Sequence, residues 1–404
     1  MLSPLLKAGV FSLLSLAGLV AGQQDDLGSV LQSKSNLSTY YNLIKKYPEV
    51  ILKLPSYDGV TASFPEISNP KNIIAPSNAA FENIPGTQLN GIWNESDPSI
   101  AIPILEYHIL QGTVSTSALE SGPSVLHSSL LQDPAWTNVT GGQNVMVNKQ
   151  PGNVTVFTSS EGIRTTQVEG DIKFAGGLIQ VVDNLMIPPA RLENTTDSFQ
   201  LPAFLGALYT ARLLPSLSER KNVTIFAPRN EAFQRVAGSL RDLDEDAVRN
   251  ILNYHVVTGR ILASSDLKNG TNLTTLSRQD LNVIRSGNNL FLNSAQIVQP
   301  DILLANGILH IVDNVLNPNA ASATPDPTAV SQPPVFPESS ASGLPFTSAI
   351  PCTVSCPVTT TATPTAASTR ASTTAIRTAT SPGAAARTGV AAGAALLAGL
   401  AALT

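Results

Sequence analysis

An internal duplication limits the fold of this chain more than any other feature of its sequence. Three landmarks occur twice in the same order. They are IIAPSNAAF and TIFAPRNEAF, LEYHILQGTV and LNYHVVTGRI, and GDIKFAGGLIQVVDNLMIPP and PDILLANGILHIVDNVLNPN. Two copies of this length predict two compact domains rather than a solenoid of short repeats. We expect the first domain at 25–190 and the second at 196–318, with longer loops in the first copy.

Each copy combines helical and strand patterns. An apolar stripe with helical spacing opens each copy and ends near Pro48 or Pro215. The first landmark predicts a strand followed by a helix, with Asn78 in the first copy and Asn230 in the second at the N-cap. The helices and strands together predict the α+β class for both domains.

The third landmark predicts a β-hairpin in each copy. Two apolar runs flank Asn306-Gly307, and Gly176-Gly177 takes the same place in the first copy. Asn-Gly is typical of a type I′ turn, in which both central residues need a positive φ. The last strand then ends at Asp183 or Asp313, where we expect each carboxylate to accept backbone N–H bonds.

The second landmark places a Tyr-His pair in each copy, Tyr107-His108 and Tyr254-His255, although the chain has only four histidines. Each histidine continues the apolar stripe of a predicted helix, at the point where a strand begins. An imidazole in this position is usually a neutral core group whose ring N–H binds a backbone carbonyl. We therefore interpret both histidines as structural, because no Ser, Cys or carboxylate is repeated beside them.

The helix before each Tyr-His pair has a recognisable start. Asp97 precedes Pro98 in the first copy, which is typical of an N-cap followed by proline at the first helical position. In the second copy either Asp242 or Asp244 can take the cap position.

Taken together, the three landmarks resemble the fasciclin-like (fasciclin I) domain in the tandem, GPI-anchored arrangement of fungal proteins. The resemblance implies a wedge-shaped β-sandwich with packed helices in each copy, and an extracellular adhesion or matrix role. Because the Tyr-His region of animal members is implicated in receptor binding, it also implies binding residues, namely Tyr107, His108, Tyr254 and His255. The first copy departs from the family pattern, since Gln180 stands where the second copy has His310.

Both ends of the chain predict processing signals. Residues 1–22 carry Lys7 before an apolar run, which predicts a signal peptide rather than a short membrane anchor. Residues 390–404 are an apolar tail behind small residues, which is typical of a GPI signal with attachment at Gly383; a tail-anchored span is the alternative. Residues 319–389 are rich in Ser, Thr and Pro and predict a disordered, O-glycosylated stalk.

Secretion agrees with eight Asn-x-Ser/Thr sequons, each a candidate N-glycosylation site on a surface loop. The sequons are at Asn36, Asn94, Asn138, Asn153, Asn194, Asn222, Asn269 and Asn272. The two cysteines, Cys352 and Cys356, could close a small disulfide loop or link two chains.

The sequence contains no His-Glu-x-x-His, Gly-x-Ser-x-Gly or Walker motif, so we expect no enzymatic activity, cofactor or metal. Charged residues are only 13% of the chain and form no basic run, which argues against nucleic acid as a partner. Trp93 and Trp136 could stack on sugar rings if they are exposed.

These observations predict a non-enzymatic adhesion or matrix glycoprotein at the outer face of the plasma membrane or in the cell wall. Its expected partners are wall polysaccharide or an extracellular glycoprotein, including another copy of the chain. One alternative is a lumenal protein of the vacuole or secretory pathway that acts in membrane trafficking. A second alternative is a secreted enzyme acting on polysaccharide, which would need Asp183 or Asp313 beside a second acid in a cleft.

Overall fold

The computed structural model describes residues 25–52, 71–340 and 343–351. The two copies fold into two domains with the same order of elements, which confirms the predicted α+β class. The predicted signal peptide, the cysteines Cys352 and Cys356, the attachment residue Gly383 and the apolar tail all lie outside the described residues.

Helices open each domain and separate its first two strands. In the described part of the first domain they are α1 (Leu27–Ser33), α2 (Ser38–Lys46), α3 (Pro48–Leu52), α4 (Asn78–Glu82) and α5 (Pro98–Tyr107). In the second domain they are α6 (Leu192–Ser198), α7 (Pro202–Thr210), α8 (Leu214–Ser218), α9 (Asn230–Arg235), α10 (Ala237–Arg241) and α11 (Glu245–Tyr254). The first residue of α6 lies four residues before the predicted start of the second domain at 196.

The described residues form seven strands in each domain. The first domain contains β1 (Lys71–Pro76), β2 (Ile109–Gln111), β3 (Val125–Ser128), β4 (Asn144–Gln150), β5 (Val154–Thr158), β6 (Arg164–Phe174) and β7 (Gly177–Val182). The second contains β8 (Val223–Pro228), β9 (Val256–Thr258), β10 (Asn272–Thr274), β11 (Asp280–Ser286), β12 (Asn289–Leu292), β13 (Ala295–Leu304) and β14 (Gly307–Val312).

Each set of strands forms one sheet that folds over on itself. The order is β2-β1-β7-β6-β5-β4-β3, and the second domain repeats it with β9-β8-β14-β13-β12-β11-β10. β1 pairs with β7 in parallel, as β8 does with β14, and the other neighbours are antiparallel. β6 pairs with β5 through its first residues and with β7 through the rest, and β13 pairs with β12 and then with β14 in the same way. Each of these two strands contains two bulges. Such bulges bend a strand, and they turn the sheet into a sandwich.

The strand alternation creates two core layers in each domain. In β1, Ile73 and Ala75 pack beneath the helices, while Ile74 faces the interior of the folded sheet. In β8, Ile225 and Phe226 divide in the same way. Because both faces of these parallel strands are covered, they are buried along their whole length.

The predicted helix start before the Tyr-His pair is confirmed in both domains. Asp97 accepts a hydrogen bond from the Ser99 N–H at 2.9 Å at the start of α5. Asp244, rather than Asp242, caps α11 by accepting from the Ala247 N–H at 2.8 Å.

The hairpin turn lies one residue earlier than predicted. Ala305-Asn306 joins β13 to β14, and the first domain turns at Ala175-Gly176. Neither Ala305-Asn306 nor Gly307 has a positive φ, so the predicted type I′ turn is wrong. Asn306 instead caps the C-terminal end of α8, since its side-chain amide donates to the carbonyl of Leu217 at 2.7 Å in the last turn of that helix.

The glycine after each turn is required by a close approach of the neighbouring strand. A Cβ on Gly307 would lie 1.9 Å from the carbonyl oxygen of Val223, and one on Gly177 would lie 1.9 Å from that of Lys71. We expect Gly307→Ala to lower the free energy of unfolding of the second domain by at least about 2 kcal/mol, because backbone must move to make room. Chemical denaturation would measure it.

Gly86→Ala is the matched control for that substitution. A Cβ on Gly86 would meet no atom within 4 Å, and Gly86 has no positive φ. The change there should alter the free energy of unfolding by less than about 1 kcal/mol. Equal effects of the two substitutions would contradict the explanation by close approach.

The asparagine of the first landmark caps a helix other than its own. The side-chain oxygen of Asn78 accepts from the Thr39 N–H in α2 at 3.0 Å, and that of Asn230 accepts from the Ala203 N–H in α7 at 3.3 Å. The predicted caps are therefore wrong, since Ser77 caps α4 and Arg229 precedes α9 without a side-chain cap. Each asparagine joins two helices that are distant in sequence.

The described part of the predicted stalk packs against the second domain. A largely exposed loop, 319–331, leads to Gln332, which is fully buried. We call residues 332–340 and 343–351 together the strap. Phe346 and Ile350 of the strap pack on the helical core. A few large apolar side chains are enough to anchor this Ser/Pro-rich segment, and composition alone did not reveal them.

Candidate functional site

The two Tyr-His pairs lie at equivalent positions and are buried. His108 and His255 are the C-cap residues of α5 and α11, followed directly by β2 and β9. All four side chains are at most 1% exposed. The tyrosine hydroxyls donate to backbone carbonyls in the sheet, Tyr107 to Asn144 at 2.9 Å and Tyr254 to Asp280 at 3.0 Å.

Both imidazoles join the end of a helix to the segment that follows the last strand. In the first domain, Nδ1 of His108 donates to the Ile104 carbonyl at 2.7 Å, and Nε2 accepts from the Met186 N–H at 2.8 Å. In the second, His255 bonds the Ile251 carbonyl at 2.8 Å and the Leu316 N–H at 3.0 Å. A carbonyl only accepts and an N–H only donates, so one neutral tautomer, with the proton on Nδ1, satisfies both bonds.

Burial keeps these rings neutral. It lowers the pKa of His108 and of His255 to about 4, although the bond from each ring to a backbone carbonyl acts in the opposite direction. Burial also raises the pKa of the Tyr107 and Tyr254 hydroxyls. The arrangement favours a structural role for the four residues, since a partner in solution has no direct access to them.

A second repeated polar site lies at the bulge of β6 and β13, which sequence reasoning missed. Asp171 and Asp301 each have a positive φ and accept N–H bonds from a loop. Gln180 and His310, the position at which the copies differ, both accept the aspartate's own N–H, at 2.8 and 3.1 Å. The available signal was the Asp-Ile that both copies share at 171 and 301.

The two domains use different chemistry at this bulge for the same purpose. Burial would raise the pKa of Asp171, but hydrogen bonds from Gln180 and from the Ser117 and Thr116 N–H groups hold it well below its usual range. In the second domain Nε2 of His310 donates to the Leu262 carbonyl at 2.9 Å. Burial lowers the pKa of His310, and Asp301 partly counters this. Gln180 and His310 thus hold the bulge in place.

The two aspartates at the end of the last strand accept backbone N–H bonds, as predicted. Asp183 accepts from Thr166 at 2.7 Å, and Asp313 accepts from Gln296 at 2.8 Å and Gln332 at 3.0 Å. Within the described ranges, no three His, Cys, Asp or Glu side chains are grouped to hold a metal ion. Nor does any helix there have the length and apolar character needed to cross a membrane.

Comparison with known proteins assigns both copies to one family. A family model described as the fasciclin domain matches residues 35–188 and 199–318. The chain belongs to the fasciclin-domain family. The family resemblance predicted from the three landmarks is thereby confirmed, and the two domains are fasciclin domains.

Individual relatives share this assignment. The chain is 27% identical over 322 residues to a fasciclin-like arabinogalactan protein of Arthroderma benhamiae, which covers 77% of this chain and 76% of the relative. It is 30% identical over 230 residues to the fasciclin-like arabinogalactan protein CTB11 of Cercospora beticola, covering 55% and 61%. Among solved structures, a FAS1 domain pair from the insect cell adhesion molecule fasciclin I is 17% identical with a TM-score of 0.33, covering 71% of this chain and 99% of that one.

The two fasciclin domains pack against each other. Met146 of the first domain is buried with Ala263, Leu303 and Ile308 of the second. Around this apolar centre, the loop 137–143 of the first domain bonds the hairpin turn of the second. This loop is one of the longer loops of the first copy, so part of the extra length of that copy forms the domain interface.

A cleft of about 1140 Å³ opens beside the interface and takes walls from both fasciclin domains. Trp136 and Tyr209 line it from opposite domains, together with Arg191. Trp93, by contrast, packs on Phe81 in the first domain, with ring centroids 5.9 Å apart. Of the two tryptophans proposed for sugar stacking, only Trp136 therefore lies in the wall of this cleft.

The sequons divide into two groups by their surroundings. Six asparagines are exposed, namely Asn36, Asn94, Asn153, Asn194, Asn269 and Asn272. The remaining two lie in the domain interface. The amide of Asn138 donates to the Glu219 carbonyl at 2.5 Å, and Asn222 exchanges two 2.9 Å bonds with Thr140.

We expect Asn222 to be unmodified in secreted protein whose domains are docked. An N-glycan is attached to the side-chain nitrogen, and in Asn222 this atom donates across the interface to Thr140. Glycopeptide mass spectrometry would measure occupancy, with the exposed Asn194 as the matched position. A fully glycosylated Asn222 in protein that resists proteolysis between the domains would contradict the expectation.

Proposed function

We propose that this chain is a non-enzymatic fasciclin glycoprotein that acts by displaying two docked domains at the cell surface or in the cell wall. In this proposal a signal peptide directs it to the secretory pathway and a GPI anchor at the end of a stalk holds it at the membrane. Its partners are wall polysaccharide or an extracellular glycoprotein, and they bind the outer surface of the domain pair.

One observation carries the proposal: the polar groups that the two copies repeat all bind the protein's own backbone. The histidines hold the ends of helices, the aspartates hold strand ends and bulges, and the asparagines cap helices. Asp183 and Asp313 accept backbone N–H groups, in different domains, rather than forming the acid pair that a glycoside hydrolase needs. The outer surface of the domain pair is therefore the part of the protein left to bind partners.

The family supports the same proposal. Two fungal relatives are named fasciclin-like arabinogalactan proteins, which is a name for glycoproteins rather than for enzymes. Two linked domains can also bind a repetitive polymer more tightly than one, because the second contact is then intramolecular.

Treatment of intact cells with phosphatidylinositol-specific phospholipase C tests the anchor. We expect release of the mature chain into the medium, and loss of adhesion to wall material in the same cells. Retention of the protein in the membrane after complete cleavage of a known GPI-anchored marker would overturn the anchor.

A lumenal role in membrane trafficking is separated by location. A tag inserted after Gln24 should be accessible to antibody on unpermeabilised cells if the proposal holds. Staining of the vacuole alone would favour the lumenal alternative and reject display at the surface.

A further inference from the structure

The strap lies in a groove that the second domain builds from α7, α9, α10 and the segment after β14. The carbonyls of Gln332, Pro333 and Pro337 accept from Arg235, Asn314 and Ser239, respectively, at 2.7–2.8 Å. Ser339 exchanges backbone bonds with Gly238 and Arg235. The domain thus recognises an extended segment mainly through backbone carbonyls, as proteins that bind proline-containing peptides do.

Aromatic packing and two glycines complete this strap groove. Phe346 packs edge-on against Phe233, with ring centroids 6.2 Å apart. A Cβ on Gly206 would lie 2.3 Å from the Phe346 carbonyl oxygen, and one on Gly238 would lie 2.0 Å from the Ser339 hydroxyl. A larger residue at Gly206 would meet the backbone of the strap, whereas one at Gly238 would meet first the side chain of Ser339.

The first domain contains counterparts of α7 and α9, namely α2 and α4, but no described segment lies in the equivalent groove. Asn42 stands at the place of Gly206 and is exposed, and Gly86 stands at the place of Gly238 with no atom within 4 Å of its Cβ position. Trp93 covers Phe81 there, in the way that Phe346 covers Phe233. Among the described residues, the strap is therefore a feature of the second domain.

The connection between the strap and its own domain is a loop that could open. Residues 319–331 are largely exposed, and the loop returns to its origin, because the Gln332 N–H donates to Asp313 at the end of β14. If it were straightened, its 13 residues could span about 40 Å. The described part of the strap has one short turn of its own, at Thr347–Ala349, so the groove largely determines its path.

We propose that the strap groove accepts the strap of a second copy, and that two copies of the chain associate by exchanging straps. A closed exchange preserves every contact between strap and groove and changes only the path of the loop 319–331. Exchange of an identical element is a low-cost route to a dimer, and it is favoured where chains are crowded. In this inference, the partner of the displayed domain pair is a second copy of the same chain. The inference rests on the proposed function only for the place where the copies associate, the cell surface.

Cysteine crosslinking tests the exchange. In a background of Cys352→Ser and Cys356→Ser, one tagged chain carries Gly238→Cys and a second, differently tagged chain carries Ser339→Cys. The two positions are in contact in the strap groove, so a small shift brings the thiols within disulfide range. Both full-length chains are secreted from the same cells, and a chain with both substitutions serves as the positive control.

We expect a disulfide within the doubly substituted chain, and a covalent dimer containing both tags when the singly substituted chains are secreted together. A chain with Gly86→Cys in place of Gly238→Cys should give no such dimer. A disulfide within one chain but none between chains would show that the strap stays with its own domain, and would overturn the exchange. Absence of both disulfides, or an equal yield with Gly86→Cys, would also overturn it. None of these results depends on the anchor.

Discussion

Lowering the pH from 7 to about 4 should unfold the second fasciclin domain before the first. The second domain fully buries two neutral histidines, His255 and His310, whereas the first fully buries only His108 and has Gln180 at the position of the other. In each case burial holds the pKa of the ring below its ordinary value of about 6.5. Burial also lowers the pKa of His127 in the first domain, but that ring is only partly buried. The domain with more fully buried rings should be the more sensitive to acid.

The sign of the effect follows from proton binding. Below pH 6.5 the unfolded chain binds a proton at each histidine, whereas folded His108 and His255 stay neutral down to about pH 4. The contribution of each ring to stability is therefore complete above pH 6.5 and is lost as the pH falls toward 4. Each of these two rings should account for roughly 3 kcal/mol of lost unfolding free energy. Asp171, whose pKa is lowered, affects stability only at lower pH.

Each domain can be followed separately. In a Trp136→Phe background the one tryptophan is Trp93, which packs on Phe81 within the first domain, so tryptophan fluorescence reports the unfolding of that domain. Trp136 is replaced because it lines the cleft shared with the second domain. Circular dichroism reports both domains. At pH 4.5 we expect the denaturant midpoint from circular dichroism to separate from the fluorescence midpoint and to fall below it.

The matched variant is His310→Gln, which gives the second domain the glutamine that the first domain has at the equivalent position, Gln180. It should reduce the acid sensitivity of the second domain while leaving fluorescence-detected unfolding unchanged. If wild-type and variant chains lost stability equally between pH 7 and 4.5, buried neutral His310 would not be the cause.

Replacement of His255 by alanine should destabilise the second domain by roughly 3–5 kcal/mol. The change removes a buried ring and leaves the Ile251 carbonyl and the Leu316 N–H without their partner. Circular dichroism should show early loss of the second domain, and the tryptophan signal of the first domain should be nearly unchanged. Any loss of adhesion should follow the loss of folded protein.

His127→Ala is the control, because His127 is only partly buried and its Nε2 has no hydrogen-bond partner. It should cost much less stability than His255→Ala. A His255→Ala chain with normal stability but no adhesion would show that the imidazole acts on a partner, and would reject the structural interpretation.

The sequence predicted what local patterns determine. The caps at Asp97 and Asp244 and the buried position of the Tyr-His pairs follow from helical periodicity and capping preferences, and the structure agrees with them. The hairpin was also predicted, but its turn was misplaced. Asn306 and Gly307 are fixed by contacts with α8 and β8, which lie about 85 residues away in the chain.

Contacts between distant segments account for the other differences. Asn78 and Asn230 looked like local caps but bond helices on another part of the chain. The sequence assigned no role to the longer loops of the first copy, and one of them, 137–143, bonds the hairpin of the second domain. The strap was hidden by its composition, since Phe346 and Ile350 are isolated among Ser, Pro and Ala.

Nitrogen NMR of the histidine rings tests the central claim, that the repeated imidazoles support the interior rather than a reaction or a partner. In chain labelled with ¹⁵N at histidine, we expect His108 and His255 to show the neutral tautomer with the proton on Nδ1, unchanged from pH 8 to about pH 5. Rings that titrate near pH 6.5, or that shift when wall polysaccharide is added, would contradict the account.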